Sequence, residues 1–443
     1  MPDVTIDAPT PTRGEKVIAM GRRPVQALYQ AVSGDAGDAF APTARVKGNV
    51  ALGLIPLVAR QGSFAMLQAL HQATLAEKKP AAYGWLGPQM VVYVQDPKPV
   101  FSVADSNATR AGPDTRGPFG GLERIFGDNI LTLTGPSWKL HRAFVKSRLT
   151  SAQAVEEAYR LQHNVIHALR SLLPGGSMTA CDPTEKRVQE EILHLVRERV
   201  LKPNAWAVHG DPGCLLHKLW QAISPDDFLS EAMVGATTVL LFASHETTAT
   251  TLSSALIELH RQPRVYDELT RELDALVVDP TWAQLNACPY LDAVVRETLR
   301  CFPFVAEIGR YALRDFDLNV GEHTLPLKKG TLILGSPFLF QTQSNAWPEE
   351  GASFKPERFL GVAPQLTVNG VSGREKTFGQ GPHMCLGFRL GVMEIKVFLA
   401  TLLIGRGVHV LNEAAAELDT TRSMLKRAGS VQVIFTPRPP RST

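Results

Sequence analysis

One cysteine in this sequence lies in a segment typical of a ligand-binding loop. Residues 378–387 read FGQGPHMCLG and lead directly into an apolar stretch with helical spacing. Glycine and proline allow a tight turn, and the amides that begin the following helix point toward the Cys385 sulfur, which favours a thiolate. An ordinary cysteine is a small buried hydrophobe and needs no flanking glycines. The pattern therefore predicts a sulfur ligand to a broad, flat group, with Gly381 and Gly387 leaving room for it.

Two further patterns carry residues suited to chemistry. Glu297 and Arg300 are three positions apart on one face of a predicted helix, a spacing that in isolation is usually a solvated ion pair. Here the helix around them is short and mostly apolar. Glu246 and Thr247 place an acid beside a β-branched alcohol within a long apolar helix, where a hydroxyl competes for backbone carbonyls. Both patterns therefore indicate buried polar sites.

The cysteine loop resembles the haem-binding loop of the cytochrome P-450 family, Phe-x-x-Gly-x-x-x-Cys-x-Gly. The matching residues are Phe378, Gly381, Cys385 and Gly387. This resemblance implies a mainly α fold with small β-sheets, an α+β domain in which a long central helix lies over the haem. It also implies haem b as the cofactor and the Cys385 thiolate as its axial ligand.

The two polar patterns resemble motifs of the same family. The pair Glu297 and Arg300 resembles its Glu-x-x-Arg helix, and the segment FKPERF at 354–359 resembles the partner segment containing Arg358. The resemblance implies that these three residues form a buried ion network bracing the cysteine loop. Glu246 and Thr247 resemble the acid and alcohol of the family's oxygen-binding kink in the central helix, where the acid relays protons and the alcohol holds iron-bound dioxygen.

A set of donors could meet the haem propionates. Trp138 and Arg142, one helical turn apart, resemble the family's Trp-x-x-x-Arg helix, and Arg310 stands where the family has another arginine. His383 replaces the commoner arginine two residues before the cysteine. Each alone would be a solvated surface residue, but together they suit an anionic ligand, because charge-assisted hydrogen bonds are strong.

The apolar spacing also predicts the elements that position these residues. Helices are predicted at 137–149, 153–173, 186–200, 226–260, 263–277 and 291–301, and another follows Cys385 through Leu402. Strands are predicted at 90–94, 311–319, 331–334 and 431–435. We expect a single domain over residues 17–443 after a flexible tail at 1–16, because no repeat or linker divides the chain.

Two departures from the family concern the face of the haem that binds substrate. Ser244 stands where the family favours glycine, and fewer helices are predicted between Trp138 and Thr247 than the family has there. A shortened lid would leave a wider, wetter pocket, either open to a large or carrier-bound substrate or closed by residues 203–223. The apolar positions predicted to touch substrate are Phe119, Leu240, Val305 and Phe338, which do not specify its identity.

Composition limits the class of protein. The chain has 443 residues, is 44% hydrophobic and carries a net charge of +3, which gives no basis for nucleic-acid binding. Its five cysteines form no pairs with metal-site spacing, and the apolar stretch at 50–66 is interrupted by Arg60 and Gln61, so we expect a cytoplasmic protein without a membrane span.

The resemblance implies a monooxygenase that receives two electrons from a ferredoxin or flavodoxin and its NAD(P)H-dependent reductase. A positive docking patch is predicted near Cys385, formed by Lys139, Arg142, Arg374, Lys376, Arg389 and Lys396. A peroxide-driven enzyme is disfavoured by the acid and alcohol at 246–247. A non-catalytic haem-binding protein or decayed oxygenase is the alternative.

Overall fold

The computed structural model describes residues 40, 43–46, 54–86, 89–102, 109–110, 130–131, 133, 135–159, 177–179, 231–276, 279–343, 346–347, 350–362, 374–419 and 424–438. The predicted helix 186–200, the segment 203–223 and Phe119 lie outside them. The shortened-lid prediction therefore stays a prediction.

Ten helices with complete bounds are found in the described ranges. They are α1 (Ile55–Gln61), α2 (Ser63–Glu77), α3 (Lys98–Ser102), α4 (Gly135–Leu149), α5 (Glu231–Arg261), α6 (Pro263–Asp274), α7 (Trp282–Asn286), α8 (Pro289–Cys301), α9 (Pro337–Gln343) and α10 (Phe388–Leu403). Residues 152–159 are also helical. No described helix is long and apolar enough to cross a membrane.

The strands within the described ranges form four sheets. They are β1 (Thr43–Arg45), β2 (Ala81–Leu86), β3 (Gln89–Val94), β4 (Thr109–Arg110), β5 (Ser177–Thr179), β6 (Ile308–Ala312), β7 (Phe316–Val320), β8 (His323–Leu327), β9 (Leu332–Gly335), β10 (Arg406–Val410), β11 (Leu418–Asp419), β12 (Lys426–Arg427) and β13 (Gln432–Pro437). Their orders are β1-β2-β3-β9-β6-β4, β10-β13-β5, β11-β12 and β7-β8. In the largest sheet β3 runs parallel to β9, and β6 runs antiparallel to β9 with Arg310 opposite Ile333.

Local sequence explains where the helices near the site begin and end. Proline at the first turn starts both α6 and α8, since its missing N–H has no partner there in any helix. Thr281 and Gln284 form a capping box at the start of α7. Helix α8 ends before Phe302-Pro303, because the residue before a proline avoids helical backbone angles.

Helix α8 lies at the centre of the fold. Its residues from Tyr290 to Cys301 are all buried, and its apolar side chains share one core with those of α5, α6 and α10. Because α8 is covered on every side, its charged side chains must find partners inside the protein.

One predicted strand is wrong. The stretch 311–319 is divided between β6 and β7, which belong to different sheets. Asp315 lies between them and accepts hydrogen bonds from the Lys328 side chain (2.8 Å) and the Lys329 amide (2.9 Å). This carboxylate fixes a turn, which β-branched and aromatic content alone does not reveal.

Candidate active site

The cysteine loop is a tight turn fixed by its own backbone. The amide of Cys385 donates to the carbonyl of Phe378 at 2.8 Å. Gly379 and Gly381 have φ angles of 73° and 69°, in the left-handed region that residues with a Cβ rarely adopt. The Phe378 ring packs on Phe388 at the start of α10, with ring centroids 6.1 Å apart. The loop is thereby attached to the helix that follows it.

The Cys385 sulfur has space beside it for a ligand. Cys385 is exposed. Among the described residues, the neighbour that a Cβ on Gly387 would meet within 4 Å is the sulfur itself, at 3.9 Å. Gly387 has an ordinary φ of −85°, so its backbone conformation does not require glycine, and the missing Cβ leaves open space beside the sulfur.

Surrounding protein raises the pKa of the Cys385 thiol through desolvation, while the Gly387 amide and the Arg142 guanidinium act in the opposite direction. Desolvation by the protein therefore opposes ionisation of the sulfur when no ligand is bound. A metal ion deprotonates a coordinating thiol outright. Exposure and desolvation together describe a sulfur in a recess, accessible to a ligand and shielded from bulk water.

Helix α4 is tied directly to the cysteine loop. The Arg142 guanidinium donates to the carbonyl of Met384 at 2.6 Å. The Trp138 and His383 rings stack with centroids 3.9 Å apart and an interplanar angle of 20°, and the Arg142 guanidinium lies 5.4 Å from the Trp138 ring centroid. The structure thus brings together three of the four predicted propionate donors.

Arg310, the fourth donor, lies on β6 and is half-buried. Helix α3 connects this strand to the loop, since α3 packs against β6 and against the 3-10 turn Gly381–His383. The Phe101 ring of α3 is 3.3 Å from where a Cβ on Gly379 would lie. The sheet that carries Arg310 therefore borders the cysteine loop.

These residues fit a haem. The exposed sulfur has open space at Gly387, and cations stand on two elements that border the loop. Within the described residues, no group of three or more His, Cys, Asp or Glu could hold a separate metal ion.

Glu297, Arg300 and Arg358 form one buried ion network. Glu297 accepts two hydrogen bonds from Arg300 (2.7 and 2.8 Å) and one from Arg358 (3.1 Å). It also accepts the Lys355 amide at 2.6 Å. The side chains of Glu297 and Arg300 are fully buried, and that of Arg358 is 11% exposed.

Hydrogen bonds connect helix α8 to the segment that leads into the cysteine loop. The Arg300 guanidinium donates to the Gln341 carbonyl at 2.6 Å, and the Gln341 side chain donates to the Arg300 carbonyl at 3.0 Å. The Gln341 side chain also accepts the Lys376 amide at 2.5 Å. Thr377 donates to the Leu299 carbonyl at 2.7 Å. Residues 376 and 377 are thereby fixed immediately before Phe378.

A second buried charge chain, which sequence reasoning missed, joins the two sides of the loop. Lys396 of α10 pairs with Asp292 of α8 at 2.7 Å, and Asp292 lies 3.7 Å from Arg296. Arg296 in turn makes two hydrogen bonds to Glu375, at 3.2 and 3.0 Å. Asp292 and Arg296 are four positions apart, the spacing of a helical ion pair, and that was the available signal.

The burial of two lysines corrects the predicted docking patch. Lys396 is 0% exposed and Lys376 is 1% exposed, so neither can face a partner protein. Lys376 lies 3.7 Å from Asp96 and 5.4 Å from the Phe340 ring centroid. Lys139 and Arg374 are exposed, while the Arg389 guanidinium donates to the Thr150 carbonyl at 2.7 Å.

The acid and the alcohol lie in the middle of α5, which is helical without interruption from Glu231 to Arg261. The Thr247 hydroxyl donates to the Ala243 carbonyl at 2.7 Å. The Glu246 carboxylate lies 2.6 Å from the Lys426 ammonium of β12. Ser244, the departure from the family pattern, donates to the Leu241 carbonyl of its own helix at 3.3 Å.

Helix α5 crosses the helix of the cysteine loop one residue beyond Thr247. Thr248 donates to Glu394 of α10 at 3.3 Å, and its hydroxyl lies 4.0 Å from where a Cβ on Gly391 would stand. Gly391 is six positions after Cys385. The crossing therefore places the acid and alcohol close to the helix that begins at the sulfur loop.

Comparisons with known proteins agree with this arrangement. A family model described as Cytochrome P450 matches residues 213–405, a range that includes the α5 pair, the α8 network and the cysteine loop but not Trp138. Cytochrome P450 3A19 of Capra hircus aegagrus is 34% identical over 179 residues, covering 39% of this chain and 76% of that relative. The chain belongs to the cytochrome P450 family, which confirms the predicted family and the α+β fold class.

Other relatives are matched over less of their length. Cytochrome P450 monooxygenase claU of Ampulloclitocybe clavipes is 32% identical over 234 residues, 49% of this chain and 43% of the relative. Cytochrome P450 monooxygenase 128 of Postia placenta is 34% identical over 196 residues, 41% of this chain and 35% of the relative. The matched stretch thus spans less than half of each of these two relatives.

Proposed function

We propose that this chain is a haem-thiolate monooxygenase that inserts one oxygen atom from O₂ into an apolar small-molecule or carrier-bound substrate. The observation that carries the proposal is the exposed Cys385 sulfur beside Gly387, in a loop that Arg142 holds through the Met384 carbonyl. Haem b held by Cys385 would supply the chemistry of O₂ activation, with the thiolate favouring cleavage of the oxygen–oxygen bond.

The surrounding residues would hold the cofactor and fix its ligand. Arg142, His383 and Arg310 would neutralise the propionates, and Trp138 stacks on His383 to fix that ring. The Glu297 network and the Thr377 bond to Leu299 hold the segment before the loop. A sulfur ligand positioned in this way needs little rearrangement when the cofactor binds.

Glu246 and Thr247 would move protons on the substrate side. An acid and an alcohol adjacent on one helix are suited to deliver protons where oxygen is reduced. The Thr247 hydrogen is directed to the Ala243 carbonyl, which leaves the hydroxyl oxygen as an acceptor toward the space beside the helix.

Electrons would come from a ferredoxin or flavodoxin with an NAD(P)H-dependent reductase. The exposed cations Lys139 and Arg374, together with the half-buried Arg142 and Arg389, form the revised docking patch. A modest positive patch of this kind speeds encounter with an acidic partner.

Substitution of the ligand tests the proposal. Cys385→Ala should abolish the thiolate signature in the carbonyl spectrum of the reduced, haem-loaded protein. Cys288→Ala is the matched control, because Cys288 is buried and its pKa is raised to about 11. A thiolate spectrum that persists in Cys385→Ala would show that the ligand is another residue.

Turnover separates the monooxygenase from a non-catalytic haem-binding protein. The haem-loaded chain should consume NADPH and O₂ when supplied with a surrogate ferredoxin and its reductase. A protein with the thiolate spectrum but no NADPH consumption would be the non-catalytic alternative.

A further inference from the structure

The two-stranded ribbon formed by β11 and β12 brings a cation to the middle of α5. The Lys426 ammonium lies 2.6 Å from the Glu246 carboxylate, and the two side chains are 28% and 18% exposed. The two residues are far apart in sequence and belong to different elements. Their ion pair is therefore a tertiary contact that α5 could not form alone.

Backbone hydrogen bonds hold the ribbon without this ion pair. The amide of Leu425 donates to the Phe304 carbonyl at 2.9 Å, and the amide of Ala428 donates to the Glu417 carbonyl at 2.7 Å. Met424 also forms an antiparallel bridge with Val305. Because a partly exposed ion pair adds little stability, the Lys426–Glu246 contact is not needed to keep the ribbon in place.

The contact determines the direction of the carboxylate. The Glu246 carboxylate is turned toward the ribbon, whereas the Thr247 hydroxyl is directed to the Ala243 carbonyl of its own helix. An ammonium at 2.6 Å holds one carboxylate oxygen on the side of α5 that faces the ribbon. Lys426, 28% exposed, is the member of the pair nearer to water.

We propose that Lys426 is a positioning residue that holds Glu246 at the solvent end of the proton relay. The inference rests on the proposed monooxygenase function. Protons reach Thr247 from water through the carboxylate, and the ammonium keeps that carboxylate where water can reach it. Loss of the ammonium lets the carboxylate rotate, so proton delivery slows while haem binding and partner docking are unchanged.

The test uses the full-length, haem-loaded protein without added substrate. Each turnover then reduces O₂ to hydrogen peroxide with two electrons from NADPH, delivered through ferredoxin, and two protons from water. Lys426→Met should lower the kcat for NADPH oxidation roughly tenfold, a fraction of the 10²–10⁴ that a positioned acid contributes, and raise the solvent isotope effect. The KM for ferredoxin should not change.

Three variants distinguish positioning from a merely structural role. Lys426→Arg should restore most of the rate, because it keeps the charge. Glu246→Gln should lower kcat at least as much as Lys426→Met, and the double variant should be no slower than Glu246→Gln alone. Lys328→Met is the matched control, since Lys328 pairs with Asp315 on a hairpin at 2.8 Å and its loss should leave kcat unchanged.

The outcomes separate this inference from the proposed function. A wild-type rate in Lys426→Met beside a slow Glu246→Gln overturns the role of Lys426. Wild-type rates in both variants also overturn it, while the oxygenase assignment stands. A wild-type protein with no thiolate band and no NADPH oxidation overturns the proposed function and the inference together. If Lys426→Met loses the thiolate band, Lys426→Gln is tested in its place.

Discussion

Replacing Glu297 by Gln should destabilise the protein more than the loss of a surface ion pair would. Glu297 is the carboxylate that both Arg300 and Arg358 bind, and the Lys355 amide donates to it as well. A neutral amide leaves Arg300, whose side chain is fully buried, without a compensating negative charge. The amide hydrogens of the new glutamine would also face the guanidinium donors of Arg300 and Arg358.

The expected size of the effect follows from this burial. Removing one partner of a buried ion pair costs about 3–5 kcal/mol. An unfolding entropy of about 2.1 cal/mol/K per residue gives about 0.9 kcal/mol/K for 443 residues. The melting temperature should therefore fall by roughly 3–5 °C.

Thermal unfolding of the haem-loaded protein, followed by circular dichroism and by the thiolate absorption band, measures this effect. Glu268→Gln is the matched control, because Glu268 pairs with Arg271 at the same i,i+3 spacing on the surface of α6, where such pairs add little stability. Its melting temperature should stay at the wild-type value. An unchanged melting temperature for Glu297→Gln, or an equal fall in both variants, would refute the reasoning.

Three further outcomes are expected. Desolvation lowers the pKa of buried His71 from 6.5 to about 4. The contribution of neutral His71 to the free energy of unfolding should therefore be complete above pH 6.5 and fall by up to about 3 kcal/mol as the pH drops from 6.5 through 4. In His71→Gln, the urea midpoint should depend less on pH over this window. Lys396→Met should lower the melting temperature about as much as Glu297→Gln, and adding Asp292→Asn should recover part of the loss, because the pair is buried; additive losses would argue against that pairing. Lys139→Glu and Arg374→Glu should slow reduction by ferredoxin at low salt without changing substrate affinity, and stopped-flow rates that match wild type would exclude this docking face.

The parts of the site that could be predicted are those built from short sequence separations. The cysteine loop closes with a hydrogen bond between Phe378 and Cys385, and Glu297 and Arg300 lie on adjacent turns of one helix. Such geometry follows from residue type and spacing alone. The same applies to Trp138 and Arg142 on α4.

The parts that could not be predicted depend on which elements pack together. Arg296 and Glu375 are 79 positions apart, and Lys396 meets Asp292 only because α10 packs against α8. Lysine is exposed in most proteins, so the sequence favoured a surface role for Lys376 and Lys396. Burial of a charge depends on a partner that only the fold supplies.

The contacts that hold the cysteine loop join parts of the chain that are distant in sequence. Arg142 reaches Met384 across 242 positions of sequence, and Thr377 reaches Leu299 across 78. Closing loops of this length costs chain entropy before the contacts that they bring together can stabilise the fold. A ligand that binds only the folded chain shifts the folding equilibrium by mass action, so we expect the yield of folded protein to rise with haem supply during synthesis.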